Sequence, residues 1–309
     1  MQAIITPTKK ILGPIGAFLN HKRVVPLVFL APYLAVFSVF KVYPVIRAII
    51  MSFQNFQGVQ SQEWVGLANY ENVFKLVRFE QALTNTTLYT LGTLAILIPL
   101  PLILAVFLNS GYVSRPTFFR SLLFLPAVTS LVVAGTVFRL ILAQRGFLNA
   151  LLETTFGMEP VRWLEKADYA LPSLILVATW RWTGINILYF NAGLVNIRKE
   201  LYEAAAIDGA RPYQTFFWIT LPLLRPITFF VIVLSIIGGY QVFVEPFIIY
   251  FGGGGPGDGG LTLALLIYRT AFTSFNFGTA AAMGVVLAGI IFIFSLIQFR
   301  FFGVFKKED

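Results

Sequence analysis

Three groups of residues in the sequence have types and spacings that could do chemistry. Glu203-Ala204-Ala205 and Asp208-Gly209-Ala210 lie in a polar stretch, "ELYEAAAIDGARPYQTFFWITLPLLRP" (Glu200–Pro226), between two apolar runs. Tyr240, Gln241 and Glu245 interrupt the second of those runs, with Pro246 beside the acid. Trp182, Asn186 and Tyr189 recur at helical spacing and share one face of the run before the polar stretch. None of these sets pairs a nucleophile with a base or sets two carboxylates for acid–base work. With 0 cysteines and a single histidine, His21, a thiolate or multi-histidine metal site within this chain is excluded. The glycine-rich "GGGGPGDGG" (Gly252–Gly260) has no Lys followed by Ser or Thr, so it is no phosphate-binding loop. The chemistry left is recognition, by amides, hydroxyls, one acid and aromatic faces. No catalytic residue, cofactor or metal is expected.

The elements that hold these groups are set by the solvent. Hydrophobic residues make up 57% of the 309 residues and charged residues 12%. Soluble domains are about a quarter charged, and a soluble chain this apolar would expose aggregating patches. Lipid is therefore the main solvent. The net charge of +9 then reflects basic residues gathered on one membrane face rather than nucleic-acid binding. The first apolar run is too long for a signal-peptide core and is read as a true span.

A span needs about twenty mostly apolar residues. Six such stretches occur, at 26–53, 82–110, 118–142, 170–196, 221–250 and 268–303. Pro32, Pro44, Pro99, Pro101, Pro126 and Pro246 fall inside them, tolerable where neighbouring helices satisfy the freed backbone groups. Basic residues favour one side by about two to one, with Lys9, Lys10, Arg198, Arg211 and Lys306 on the richer side. That side is expected to be cytoplasmic, with both termini and the polar elbow. The external connections would be 54–81, 143–169 and the glycine loop, read as flexible.

Within the elbow, Glu200 to Ala206 favour helix, Gly209 can end it in a left-handed conformation, and Pro212 suits the first turn of a second helix. Thr220 is placed to cap the next span, with Pro222 in its first turn. The alanines leave room for another backbone, and Glu203 and Asp208 could pair with a partner's cations. On chemistry alone, a docking knob and an amphipathic loop folded on its own bundle both stand. In the spans, Glu245 is either a pathway group or a carboxylate paired with Lys41, Arg47, Arg139 or Arg181. The Trp182 stripe is either a sugar-contacting face or packing. Arg139 and Arg181 raise the alternative of an acidic solute, and Glu245 that of an ion-coupled secondary transporter.

The elbow resembles the EAA loop of binding-protein-dependent ABC importer permeases. The matches are Glu203-Ala204-Ala205, Asp208-Gly209-Ala210 and Ile219-Thr220-Leu221-Pro222 at the family's spacings. Further along, "WVGLANYENVF" (Trp64–Phe74), "LLFLPAVTS" (Leu122–Ser130), "WRWTGINILYFNAGL" (Trp180–Leu194) and "FGTAAAM" (Phe277–Met283) are similar to the carbohydrate-uptake branch, of the kind found in maltose and glycerol-3-phosphate systems. Two departures are Arg198 after Ile197, where the family often has proline, and Asn191 at an apolar position.

The resemblance implies an all-α membrane protein, a six-helix type I importer permease with cytoplasmic coupling helices. The permease domain would span 26–303, with the coupling loop at 198–222 and tails at 1–25 and 304–309. It implies a non-catalytic subunit in the bacterial or archaeal inner membrane. Its partners would be a second homologous permease, two ABC ATPase subunits and an extracytoplasmic sugar-binding protein. Glu203, Ala204, Ala205, Asp208, Gly209 and Ala210 would couple to the ATPase. Tyr240, Gln241, Glu245, Trp182, Asn186 and Tyr189 are the expected pathway residues for a sugar or oligosaccharide moved by alternating access.

Overall fold

A computed structural model describes residues 25–58 and 62–301. The terminal tails, His21 and the basic residues at both chain ends lie outside the described residues. The described residues form helices joined by short connections, with one two-stranded hairpin among them, β1 (Gln54–Asn55) and β2 (Glu63–Trp64). Helix α1 (Val25–Met51) has 27 residues, a π-turn at Ser38–Val42, and almost no surface buried within the chain. Then come α2 (Ala68–Lys75), α3 (Val77–Leu97), α4 (Pro99–Asn109), α5 (Pro116–Val128), α6 (Leu131–Ile141) and α7 (Phe147–Phe156). The second half holds α8 (Ala167–Val195), α9 (Lys199–Ile207), α10 (Pro212–Thr215), α11 (Arg225–Tyr240), α12 (Val244–Ile249), α13 (Leu263–Phe272) and α14 (Phe277–Phe301).

By length and composition, α1, α3 with α4, α11 with α12, and α14 can each cross a membrane, and α5 with α6 adds a broken fifth. Helix α8 is the longest single helix at 29 residues. At 1.5 Å per residue it runs ~43 Å, enough to cross despite carrying Asp168, Arg181 and Asn186. It is the central post, packed on α3, α4, α5 and α11. Gly184 makes the α5 contact possible, since a Cβ there would collide with the backbone of Leu123 and Phe124.

Four of the expected spans are not continuous helices, the second being interrupted at Ile98 between α3 and α4. The third turns through 97° between α5 and α6, because Thr129 and Ser130 are extended. The fifth stops at Tyr240 and restarts at Val244, and Gln241 and Phe243 leave helical geometry. The last span begins at Phe277 rather than 268. Residues 263–272 form the separate helix α13, cut off at Thr273–Asn276, where Phe275 adopts a positive φ of 53°.

The glycine loop is also not the free connection expected. Asp258 forms ion pairs with Arg78 (3.0 Å) and Arg269 (3.7 Å), tying the start of α3 to α13. Asn85 donates to the carbonyls of Asp258 (2.9 Å) and Leu261 (3.1 Å), and Gln81 to that of Gly257 (2.7 Å). These bonds hold backbone carbonyls that a turn of this kind leaves open.

Candidate functional site

The chain breaks carry the site. A proline in a helix leaves the carbonyl four residues earlier without its N–H donor, and in lipid that carbonyl needs a substitute. Pro101 frees Leu97 O, which accepts from Asn186 Nδ2 at 3.0 Å. Val242 O, left open in the break before α12, accepts from Thr262 Oγ1 at 2.8 Å. At the third break, Arg181 Nη1 donates to Thr129 O at 2.7 Å. These three discontinuities are thus each closed by a side chain from elsewhere in the chain, two of them from α8.

Between these breaks lies a cavity of about 250 Å³. Five of the six expected pathway residues line it: Trp182, Asn186 and Tyr189 from α8, Gln241 from the α11–α12 break, and Glu245 from α12. The sixth, Tyr240, points elsewhere. It is 3% exposed, its hydroxyl meets Thr87 Oγ1 at 3.1 Å, and its ring packs on Phe294. The helix ends at this residue, so the turn that brings Gln241 to the cavity turns Tyr240 into the core. Gln241 and Glu245 are likewise not one helical turn apart on a single face, because the break separates them.

Sequence reasoning passed over Tyr89, Thr93, Ser235 and Gly238, which complete the wall. The signal for Thr93 was present: Thr86, Thr90 and Thr93 recur at helical spacing on α3, and all are buried. Glu245 is buried, and no cation lies within ion-pair distance of it among the described residues. Of the four candidate partners, Arg181 is the charge that acts on it. Arg181 also lies 5.5 Å from the ring of Trp182, and its Nε is buried without a hydrogen-bond partner. Asn191, which departs from the family pattern, accepts from Asn109 Nδ2 at 2.8 Å and joins α8 to the end of α4.

A second basin, about 730 Å³, sits at the other end of α12. Arg139, Arg162, Arg269, Trp163, Tyr250 and Phe251 are among the residues that line it. The Arg139 guanidinium covers the Phe251 ring at 3.3 Å. The Tyr250 hydroxyl donates to Ala170 O at 3.3 Å.

The elbow is built as its residues dictate. Helix α9 ends with Gly209 at φ 73°. Ala210 N–H bonds Ala205 O (2.9 Å) and Gly209 N–H bonds Ala206 O (3.1 Å), the paired bonds of a Schellman ending. Pro212 opens α10, and Gln214 Oε1 accepts from Arg211 N–H at 2.7 Å. Thr220 does not cap the next span: a π-turn at Phe216–Thr220 carries the helix through it. Its hydroxyl instead meets the Tyr202 hydroxyl at 3.1 Å and locks the elbow's two arms together. Glu203, Ala204, Asp208 and Gly209 are exposed, Ala210 is half-buried and Ala205 is buried against the elbow. Neither Glu203 nor Asp208 has an ion-pair partner among the described residues. Ile207 is 87% exposed. The result is a stiff knob with free acids and an uncovered apolar tip.

A helical bundle whose crossings break around a polar cavity, with a stiff polar knob between two of them, defines a polytopic membrane transport subunit. Residues 81–302 match the family model of the binding-protein-dependent transport system inner membrane component, and the chain belongs to that family. Among similar proteins, the arabinooligosaccharides transport system permease protein AraP of Halalkalibacterium halodurans is 44% identical over 294 residues, covering 94% of this chain and 92% of that protein. The lactose transport system permease protein LacF of Rhizobium radiobacter is 35% identical, covering 88% of this chain and 91% of that protein. In fold, the chain is similar to a chain of a bacterial ABC transporter involved in the import of the acidic polysaccharide alginate. The TM-score is 0.79 at 22% identity, with 96% of this chain and 100% of that one covered. The type I importer permease fold expected from the sequence is therefore present, as is the carbohydrate-permease kinship.

Proposed function

We propose that this chain forms half of the translocation pathway of an ATP-driven sugar importer, and that the broken-helix cavity is where the sugar passes. The observation that carries this reading is the wall of that cavity. Asn186, Gln241, Ser235 and Glu245 offer donors and acceptors, and Trp182, Tyr189 and Tyr89 offer ring faces. This mixture suits a polyhydroxy ring, whose edges hydrogen-bond and whose faces stack. The relatives that carry arabinooligosaccharides and lactose support the carbohydrate assignment.

In this reading a second permease completes the pathway, and two ATPase subunits seat the elbow. A sugar-binding protein delivers from outside. Residues 198–222 form the coupling loop, and Glu203 and Asp208 meet basic groups in the ATPase cleft. Closure of the ATPase dimer moves the elbow, which drives α8 and α11 on either side of it. The helices then reopen about their breaks, giving alternating access. Both termini face the cytoplasm. ATP is hydrolysed by the partner subunits and not by this chain.

The test is reconstitution of the complete assembly in proteoliposomes, with carbohydrates screened for ATP-dependent uptake. Uptake that persists when ion gradients are collapsed supports the reading. Uptake that needs a gradient and ignores ATP overturns it in favour of a secondary transporter.

A further inference from the structure

Glu245 is the one formally charged residue among those lining the inner cavity. Arg181, the arginine in electrostatic contact with Glu245, does not line the cavity and spends its Nη1 on the Thr129 carbonyl. Among the described residues no ion pair within 4.0 Å covers the carboxylate. Tyr89, the other group in electrostatic contact with Glu245, is a phenol and brings no positive charge. A solute in this cavity therefore meets one acid at close range, with its counter-charge set behind the wall. The outer basin has the opposite character, with three arginines against Asp258 and Glu165. A like charge a few ångströms from a partly enclosed carboxylate is repelled strongly, whereas a hydroxyl is a good donor to it.

We propose that Glu245 makes the cavity selective for uncharged sugars, accepting hydrogen bonds from their hydroxyls and repelling uronate or phosphate groups. This rests on the cavity being the sugar pathway. It narrows the substrate class to neutral glycans and assigns the discrimination to one side chain. Neutral-sugar specificity would then be enforced twice, by the delivering protein and again by the permease.

The chain has no cysteine, so a single thiol can probe the field of the cavity directly, apart from any selection made by the binding protein. Ser235→Cys places that thiol in the wall. Tyr112→Cys, at a position 81% exposed and away from the cavity, is the reference. In the complete reconstituted assembly, the rates of modification of this chain by a cationic and an anionic thiosulfonate are compared. We expect the anionic reagent to be disfavoured at Ser235→Cys by about tenfold or more relative to the reference. Glu245→Gln should abolish that bias. Gln241→Lys, which keeps the acid but adds a cation beside it, should reverse or erase it. Gly238→Cys, with open space around its Cβ, is the second probe site should Ser235→Cys perturb assembly.

Equal rates with both reagents, unaffected by Glu245→Gln, overturn the proposal. Failure of both thiols to react with either reagent overturns it too, since the cavity would then be closed to water-borne solutes. Uptake of a neutral disaccharide in the same preparation tells the two readings apart. Uptake with no charge bias sinks only the selectivity of Glu245. A charge bias with no neutral sugar carried, across the screened panel, sinks the sugar pathway on which it rests.

Discussion

The elbow and the inner cavity are both polar interruptions in an apolar chain, yet they are built in opposite ways. The elbow's bonds are local. Its Schellman ending, its proline start and its Tyr202–Thr220 contact join residues at most eighteen apart. Two of the cavity's three closing bonds are distant: Asn186 to Leu97 spans 89 residues and Arg181 to Thr129 spans 52, while Thr262 to Val242 spans 20. A local assembly is stiff by itself and can push as a unit. A cavity held by bonds between separate helices can exchange those bonds as the helices tilt. The division fits a machine with a rigid input and a deformable passage.

The sharpest way to break this contrast is at the input. Glu203→Lys should cut sugar uptake by about tenfold or more while leaving insertion and folding intact, because a cation replaces a free acid on an exposed helix. Uptake and ATPase rate measured together check this, and unchanged uptake counts against docking through this face. Next in size is Arg181→Met, which strips the Thr129 carbonyl of its donor and Glu245 of its counter-charge. A loss of about 3 kcal/mol is expected, read as a lowered melting temperature in detergent, where Glu203→Lys should read as wild type.

Asn186→Leu should cost about 2 kcal/mol by leaving the Leu97 carbonyl unsatisfied. Pro101→Ala in the same chain should recover much of it, since the new N–H can reach that carbonyl. A double-mutant cycle shows this as a coupling, and simple additivity would contradict the bond's assigned purpose. Gly209→Ala should cost about 1 kcal/mol, because alanine is strained at φ 73°. Its effect on coupling should exceed its effect on melting. Asp258→Asn is the mildest, below about 1 kcal/mol, as its Arg78 partner is 60% exposed.

The same contrast explains what could be read from sequence. The elbow was legible because glycine, proline and alanine act on their own neighbours, and only the capping by Thr220 was misplaced. The composition of the cavity was legible too, since amides, acids and aromatics in a span are costly and stand out. Its geometry was not. Whether Pro101 merely bends a helix depends on what reaches the freed Leu97 carbonyl from elsewhere, and that partner, Asn186, lies far along the chain. The missed break at Gln241 is why Tyr240 was assigned to the passage when it belongs to the core. The break before Phe277 had a faint signal in "TSFNF" (Thr273–Phe277), where three polar residues interrupt the apolar run. The docking of the glycine loop had none, because its anchors Arg78, Asn85 and Arg269 are remote.

The bonds that close the helix breaks bear on how this chain can drift over evolutionary time. One of them joins a proline to a plug encoded far away, Pro101 with Asn186. Losing the proline first is tolerable, since an ordinary residue brings its own donor. Losing the plug first strands a carbonyl in hydrocarbon. Descendants should therefore abandon this pair in one order only, and lineages that lack the plug should already lack the proline.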